Sequence, residues 1–321
     1  MCSSWLNQMP RSTDFFVEAA RSLQLDVVAG EVSDAFADAG IRCVVLRGPS
    51  VRRWLYRDSE RRHYLDVDLL VAPERFAAAE GVLADLGFTY LPLMMERPVD
   101  RPAHERTWYR EADSATIDLH RTIVGAGVSA DEVWTALSGA TQPLRLAGRQ
   151  LAGLNAEATA FVVALHAAQH GSGAPRSLGD LRLAVERFAY ELWEAAALLA
   201  ARLQAAEALA VGLRLVPAGE RLAADLGLPT SVAAATLLRS TTPPETALGF
   251  AWLTELPAAR AKARFLWGTL IPDRSFVRGT SRLAGGGTLG LLCAYLWRWA
   301  WLLYRAPRGW LAWRAARRDG W

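Results

Sequence analysis

Asp66 and Asp68 stand two residues apart in the apolar run LDVDLLV, residues 65–71. Side chains alternate along a strand, so both carboxylates share one face. Val67, Leu69 and Val71 then point the other way, toward a core. Neighbouring carboxylates repel, and each raises the other's pKa. A divalent cation removes that cost and takes both as oxygen ligands. Asp118 sits in a similar run, Ile117-Asp118-Leu119. If its strand pairs beside the first, three carboxylates converge. Three acids can hold two Mg²⁺ (or Mn²⁺) ions about 3.5–4 Å apart. The competing reading is a set of solvated acids on an exposed sheet face, and D-x-D alone does not exclude it.

Other polar residues gather around these acids in sequence. Before D-x-D comes a strand, then Arg47-Gly48-Pro49-Ser50, then a short helix. Gly48 lets a phosphate approach the backbone, Ser50 offers a hydroxyl, and the helix start offers amide donors. An ordinary strand-to-helix turn accounts for the same residues. Arg62 could meet a triphosphate in bidentate fashion, or be a salt bridge or a solvated charge in the run 57–62. His120 is expected on the strand face of Asp118. His166 and His170 are spaced i, i+4, which suits Zn²⁺, but no third ligand is evident, so a place lining a cleft is expected. Asp180 is expected to line that cleft, or to act only in a capping box with Ser177. His63 and His104 have no clear context.

Positioning these residues takes a sheet and a helical layer. The first 40 residues read as helices, with a second run at 28–39 ending at Gly40. Strands are predicted at 41–46 and 65–71, with helices from Pro49 to Tyr56 and from Pro73 to Leu86. Residues 104–121 read as a hairpin turning at Ala112-Asp113-Ser114, and a smaller hairpin turns at Ala147-Gly148. Beyond Asn155, which can cap a helix through His170, the chain reads as all helix with breaks at prolines. The expected fold class is α/β (α+β): a mixed-sheet domain followed by an all-helical one. The expected units are N-terminal helices at 1–40, the mixed α/β domain at 41–152, a helical domain at 153–280, and a Trp/Arg-rich tail at 281–321. No fixed-period repeat is visible.

Bulk composition narrows the partners. The chain has 321 residues, 52% hydrophobic and 21% charged, as a folded protein does. A net charge of +3 argues against general nucleic-acid binding, which is unlikely without being excluded. Three scattered cysteines, Cys2, Cys43 and Cys293, suggest a reducing compartment. The N-terminus shows no signal-peptide pattern, so a cytoplasmic location is expected. Residues 283–304 carry one charge, Arg298, over a length that could span a bilayer. An Arg inside a span costs about 2.5–3.5 kcal/mol, and Gly285-Gly286-Gly287 weakens the helix, so a surface-lying or core-packed helix is expected. The tail interleaves six tryptophans with six arginines. That pattern suits a membrane periphery or protein contact through residues 283–318, ahead of nucleic acid. Pro307 and Gly309 are expected to split it into two short helices.

Residues 44–88 resemble the uncharacterised nucleotidyltransferases of the DNA-polymerase-β-like superfamily. The resemblance rests on Leu46-Arg47-Gly48-Pro49-Ser50, on Tyr56, Arg62 and Asp66-Val67-Asp68-Leu69-Leu70-Val71, and on Ile117-Asp118-Leu119-His120. More loosely, Leu165 to His170 and Leu178-Gly179-Asp180-Leu181 are similar to the family's helical segment. Related sequences usually carry Lys where Arg47 stands, and a small residue directly after the Gly. The resemblance implies a metal-dependent enzyme that moves a nucleoside monophosphate from an NTP, such as ATP, to a hydroxyl acceptor. It implies Mg²⁺ (or Mn²⁺) on Asp66, Asp68 and Asp118, nucleotide contacts at Arg47, Gly48, Ser50 and Arg62, and a role in natural-product or polysaccharide biosynthesis. The alternative is a protein that kept the fold, lost catalysis, and docks through its tail.

Overall fold

A computed structural model describes residues 12–57, 60, 62–91, 103–241 and 245–319. Phe15 and Phe16 belong to the expected N-terminal pattern, but their side chains, like Trp321 of the tail, lie outside the described residues. Among the described residues, the N-terminal segment is one helix, α1 (Ser12–Asp38), rather than two. Leu25, Val28, Ala29, Val32 and Phe36 recur on one buried face and carry it across the sheet without a break. It stops at Gly40, whose φ of 67° few other residues adopt comfortably.

Seven strands follow among the described residues: β1 (Cys43–Val45), β2 (Val67–Val71), β3 (Thr89–Leu91), β4 (Glu105–Arg110), β5 (Ala115–His120), β6 (Thr141–Leu146) and β7 (Arg149–Leu154). They form one sheet in the order β3-β4-β5-β2-β1-β7-β6. The pairs β2/β5 and β1/β7 are parallel and the rest antiparallel, so the sheet is mixed. Helices α2 (Pro49–Leu55), α3 (Phe76–Asp85) and α4 (Ala130–Gly139) connect the strands. A single 3₁₀ turn at Pro73–Arg75 leads into α3. Neither β3 nor α4 is among the predicted elements. Yet α4 opens on a full capping box, Ser129 with Glu132, a pattern present in the sequence.

Two cores sandwich the sheet. On one side, Val67, Leu69, Val71, Ile117 and Leu119 pack against α1 and α3. On the other, Val44, Leu70 and Leu154 meet α5 (Ala156–His170), which Asn155 caps by accepting from the Ala158 amide at 3.0 Å. Around α5 gather α6 (Pro175–Arg187), α7 (Tyr190–Arg202), α8 (Ala206–Arg214) and α9 (Pro217–Asp225). Gly212 lets α8 lie directly on α5, because a Cβ there would come 2.1 Å from the Ala164 carbonyl oxygen.

The chain finishes with α10 (Ala234–Ser240), α11 (Glu245–Glu255), α12 (Ala259–Leu270), α13 (Arg274–Thr280) and α14 (Gly287–Asp319). The tail is one helix that runs through Pro307, not two. Packing explains the difference. Thr246 of α11 donates to the Arg305 carbonyl, and a Cβ at Gly309 would lie 2.0 Å from the Thr246 hydroxyl, so α11 braces α14 at the proline. Among the described residues, no helix is long and apolar enough to cross a membrane.

Candidate active site

The site is built on one face of three adjacent strands. Asp68 of β2 stands opposite Asp118 of β5 in the parallel register, and Leu70 opposite His120. In the antiparallel register of β4 and β5, Thr107 faces Asp118 and Glu105 faces His120. Alternation therefore puts Asp68, Asp118, His120, Thr107 and Glu105 on the same face. Asp66 lies just before β2 and lines the same cavity, of about 300 Å³, with Asp68, Glu105 and Asp118. The competing reading of an exposed sheet face is not what the fold makes. Every residue of β2 is buried, and Asp68 is 2% exposed.

The charges in this face are unevenly balanced. Arg47 donates to the Asp68 carboxylate, and His120 Nε2 lies 3.1 Å from the same oxygen. Burial opposes the charge on Asp68, but Arg47 and His120 outweigh it and hold the carboxyl well below its usual range. Asp66 and Asp118 lack that compensation. Burial first, and the Asp68 charge second, push Asp66 up to about 6 and Asp118 up to about 7. Asp118 accepts from the Thr107 hydroxyl at 2.7 Å, which limits its rise. His120 is raised: burial disfavours its charge, but Glu105, at 3.3 Å, and Asp68 overcome it. The same pairing, with His104, holds Glu105 down at about 2 against its burial.

Three carboxyls offering hard oxygen donors, Asp68 buried and Asp66 and Asp118 half-buried and raised, suit Mg²⁺ or Mn²⁺ in chemistry. Their side chains face internal partners: Asp68 turns to Arg47 and His120, and Asp118 to Thr107. Among the described residues, no three His, Cys, Asp or Glu side chains are grouped so as to hold an ion.

The other expected residues divide. Gly48 adopts φ 58° at the end of the strand-to-helix turn, with Tyr64 packed beneath it, and lines the cavity beside Arg47. Ser50 does not face the cavity. Its hydroxyl is buried and donates to the Val45 carbonyl at 2.7 Å, which closes the turn, so the expected phosphate contact at Ser50 is corrected. Arg62 forms a salt bridge with Asp180 of α6, far from the run 57–62 in sequence, and also lines the cavity. It donates in bidentate fashion to Asp180, at 2.7–3.0 Å, and to the Gly48 carbonyl at 3.3 Å. Asp180 forms no capping box with Ser177. α6 begins two residues earlier, at Pro175, and the Ser177 hydroxyl donates back to Ala174. Asp180 instead lies inside α6, 2% exposed, and accepts from Arg62 and from the Tyr56 hydroxyl.

His166 and His170 do line the cavity, stacked edge to face at 4.5 Å. Burial first, then Arg47, holds both below the ordinary histidine range, so His166 is a neutral imidazole near pH 7. His104 pairs with Glu105 at 3.3 Å and joins His166 at a small neighbouring cavity. Glu105, Thr107, Gln169 and Arg176 are additional residues around the carboxylates. The alternation of ERTWYR, read against its hairpin partner ATIDLH, would have placed Glu105 and Thr107 there. Arg176 follows from the true start of α6.

The sequence profile of a family described as uncharacterised nucleotidyltransferase matches residues 11–218. No curated protein matches the chain. Among solved structures, that of the antibiotic-resistance factor ANT(2'')-Ia aligns at 16% identity over 58% of this chain and 95% of that chain, with a TM-score of 0.41. ANT(2'')-Ia in complex with adenylyl-2''-tobramycin aligns at 17% identity over 56% and 98%, with a TM-score of 0.39. An antigenic nucleotidyltransferase-like protein from Paracoccidioides brasiliensis aligns at 13% identity over 56% and 92%, with a TM-score of 0.33.

Proposed function

Since the chain belongs to this uncharacterised nucleotidyltransferase family, we propose that it transfers a nucleoside monophosphate from an NTP to a hydroxyl of its acceptor, with a divalent cation held by Asp66, Asp68 and Asp118. The observation that carries this is the in-register placement of Asp68 against Asp118 on neighbouring parallel strands, with Asp66 beside them in one cavity. When bound, Mg²⁺ or Mn²⁺ supplies positive charge to the three carboxylates, the triphosphate and the leaving pyrophosphate. The bond from the acceptor oxygen to the α-phosphorus forms as the bond to pyrophosphate breaks. Asp118, set against Asp68 in the cavity, takes up the proton that the acceptor hydroxyl loses. Arg47 and His120 keep Asp68 ionised. The Gly48 turn and the exposed Arg176 offer the triphosphate a wall of the cavity, and Arg62, bound to Asp180 and to the Gly48 carbonyl, lines the same wall and holds the turn. Neutral His166 and Gln169, on α5, wall the other side, where an acceptor would sit.

Replacing Asp68 with Asn tests the reading. Wild type should show Mg²⁺-dependent NTP binding in thermal-shift measurements and pyrophosphate release with an acceptor, and Asp68→Asn should lose both. Survival of either activity in the variant, or metal-independent binding in wild type, would sink it. The Arg47–Asp68 pair favours a second reading, a nucleotide-fold binding protein without catalysis. That reading expects NTP binding to be indifferent to Mg²⁺ and to Asp68→Asn.

A further inference from the structure

α14 carries two apolar faces. Leu291, Ala294, Trp313 and Ala316 are buried against the protein. On the other face, Leu289, Leu292, Leu296, Trp299, Leu303 and Trp310 recur three, four or seven residues apart and are 40–78% exposed. At about 1.5 Å per residue this stripe runs for roughly 30 Å. Solvent-facing sides of helices are ordinarily polar, and an apolar stripe of this length marks a contact surface. It widens sideways. Trp299 donates to the Leu270 carbonyl at 2.7 Å, and Trp267 and Leu270 of α12 with Ile271 just after it, all exposed, share with Trp299 and Leu303 an apolar cavity of about 660 Å³.

Charge selects the occupant. Residues 259–318 hold twelve Arg or Lys and one acid, Asp273, so this segment carries +11 while the whole chain carries +3. Arg314, Arg317 and Arg318 are exposed where the stripe ends. Arg314, Arg317 and Arg318 line a concavity with Trp310 and Trp313. A second copy docking by the same face would bring like charge against like. An anionic bilayer meets all three features. Its interior takes leucines, its headgroup level takes Trp and Tyr, and its phosphates take arginine.

We infer that the face formed by α12 and α14 binds the surface of an anionic lipid bilayer, with α14 lying in the plane of the headgroups. This binding is independent of the transfer reaction. α14 does not cross, since no described helix is long and apolar enough to do so. The cavity beside Trp299 gives acyl-chain ends a place to enter.

The test uses the full chain and vesicles of phosphatidylcholine with phosphatidylglycerol, against phosphatidylcholine alone. Co-sedimentation should favour the anionic vesicles by at least ~10-fold and weaken as salt is raised. Tryptophan emission should be quenched by brominated acyl chains, which adsorption through charge alone does not produce. The paired change Leu292→Glu with Leu303→Glu, at exposed positions, should abolish binding while thermal unfolding stays unchanged. The pair Arg314→Gln with Arg318→Gln should remove the preference for anionic lipid. Wild type that ignores anionic vesicles, or binds them without quenching by brominated chains, overturns the inference. So does a wild type that dimerises in analytical ultracentrifugation, loses the dimer with the leucine pair, and leaves vesicles unbound. If the leucine pair fails to fold, the brominated-lipid quenching of wild type decides alone.

Discussion

Asp66, Asp68 and Asp118 are chemically the same residue in three electrostatic states. Asp68 has Arg47 and His120 and stays ionised; Asp66 and Asp118 are half-buried beside its charge and are raised. The sign of the consequence can be worked out. In unfolded chain all three titrate near the ordinary value of about 3.9. Folded Asp118 holds its proton up to about 7, so between those values the native state binds more protons than the unfolded state. Stability from this group is therefore full at low pH and lost as pH rises through about 7. His166 and His170, lowered by burial, run in the opposite direction as pH rises toward 6.5. The difference between wild type and Asp118→Asn isolates the carboxyl. Without added metal, Asp118→Asn should gain in melting temperature relative to wild type as pH goes from about 4 to 7, and Mg²⁺ should reverse the order at neutral pH. A flat difference across that range would show that Asp118 is not raised. At this scale the sequence was informative about Asp66 and Asp68, since period-two alternation is local. Asp118 became their neighbour only through parallel pairing with a strand some fifty residues away. Ser50 misled because a hydroxyl beside a glycine turn serves a phosphate or its own backbone equally well.

Helices and strands hold these groups through a few buried links. Arg62, Asp180 and Tyr56 join the Gly48 turn to α6, with Arg62 and Asp180 both under 10% exposed. Removing one partner strands the other's charge. Asp180→Ala should cost about 3–5 kcal/mol in urea unfolding, and Arg62→Ala with Asp180→Ala less than the sum of the single changes. Additive losses would mean that the pair does not interact in solution. The α5–α8 contact is steric. Gly212→Ala drives a Cβ into the Ala164 carbonyl and should cost about 1–3 kcal/mol, read as a lower unfolding midpoint at unchanged m-value. Ends of elements were read well where a local signal had no competitor, as at Gly40 and Asn155. They were misread at α6, where Ser177 and Asp180 match a capping box, but Pro175 starts the helix and Arg62 claims the acid. Conversely Ser129 and Glu132 form a true box whose sequence signal is weak, because α4 is short and follows a glycine-containing loop.

Across the molecule, burial and charge divide at about the same place. The two large cores draw on no residue beyond Leu228, and residues from Leu238 onward build two small clusters of their own. The family match likewise ends at 218, while +11 of charge lies in 259–318. A chain ending after Thr241 keeps both cores and the Ser240 carbonyl that bonds the Ser172 amide. It should unfold in one cooperative transition and retain the Mg²⁺-dependent NTP shift of the full chain. Loss of cooperative unfolding would show that α11–α14 support the core.

The sequence by itself determined the things that depend on near neighbours: the mixed α/β class followed by helices, most strands, and the shared face of Asp66 and Asp68. It also determined the basic, tryptophan-rich character of the tail. Tertiary structure decided what depends on residues far apart in the chain. Register put Asp118 and His120 beside Asp68, and burial raised two of the three carboxyls. Asp180 engaged the Arg62 guanidinium at the cavity wall, and α11 braced α14 through its proline. Alternation and helical period act over a few residues, whereas the burial and counter-charge that set a carboxyl's state come from whichever strands and helices the fold brings alongside.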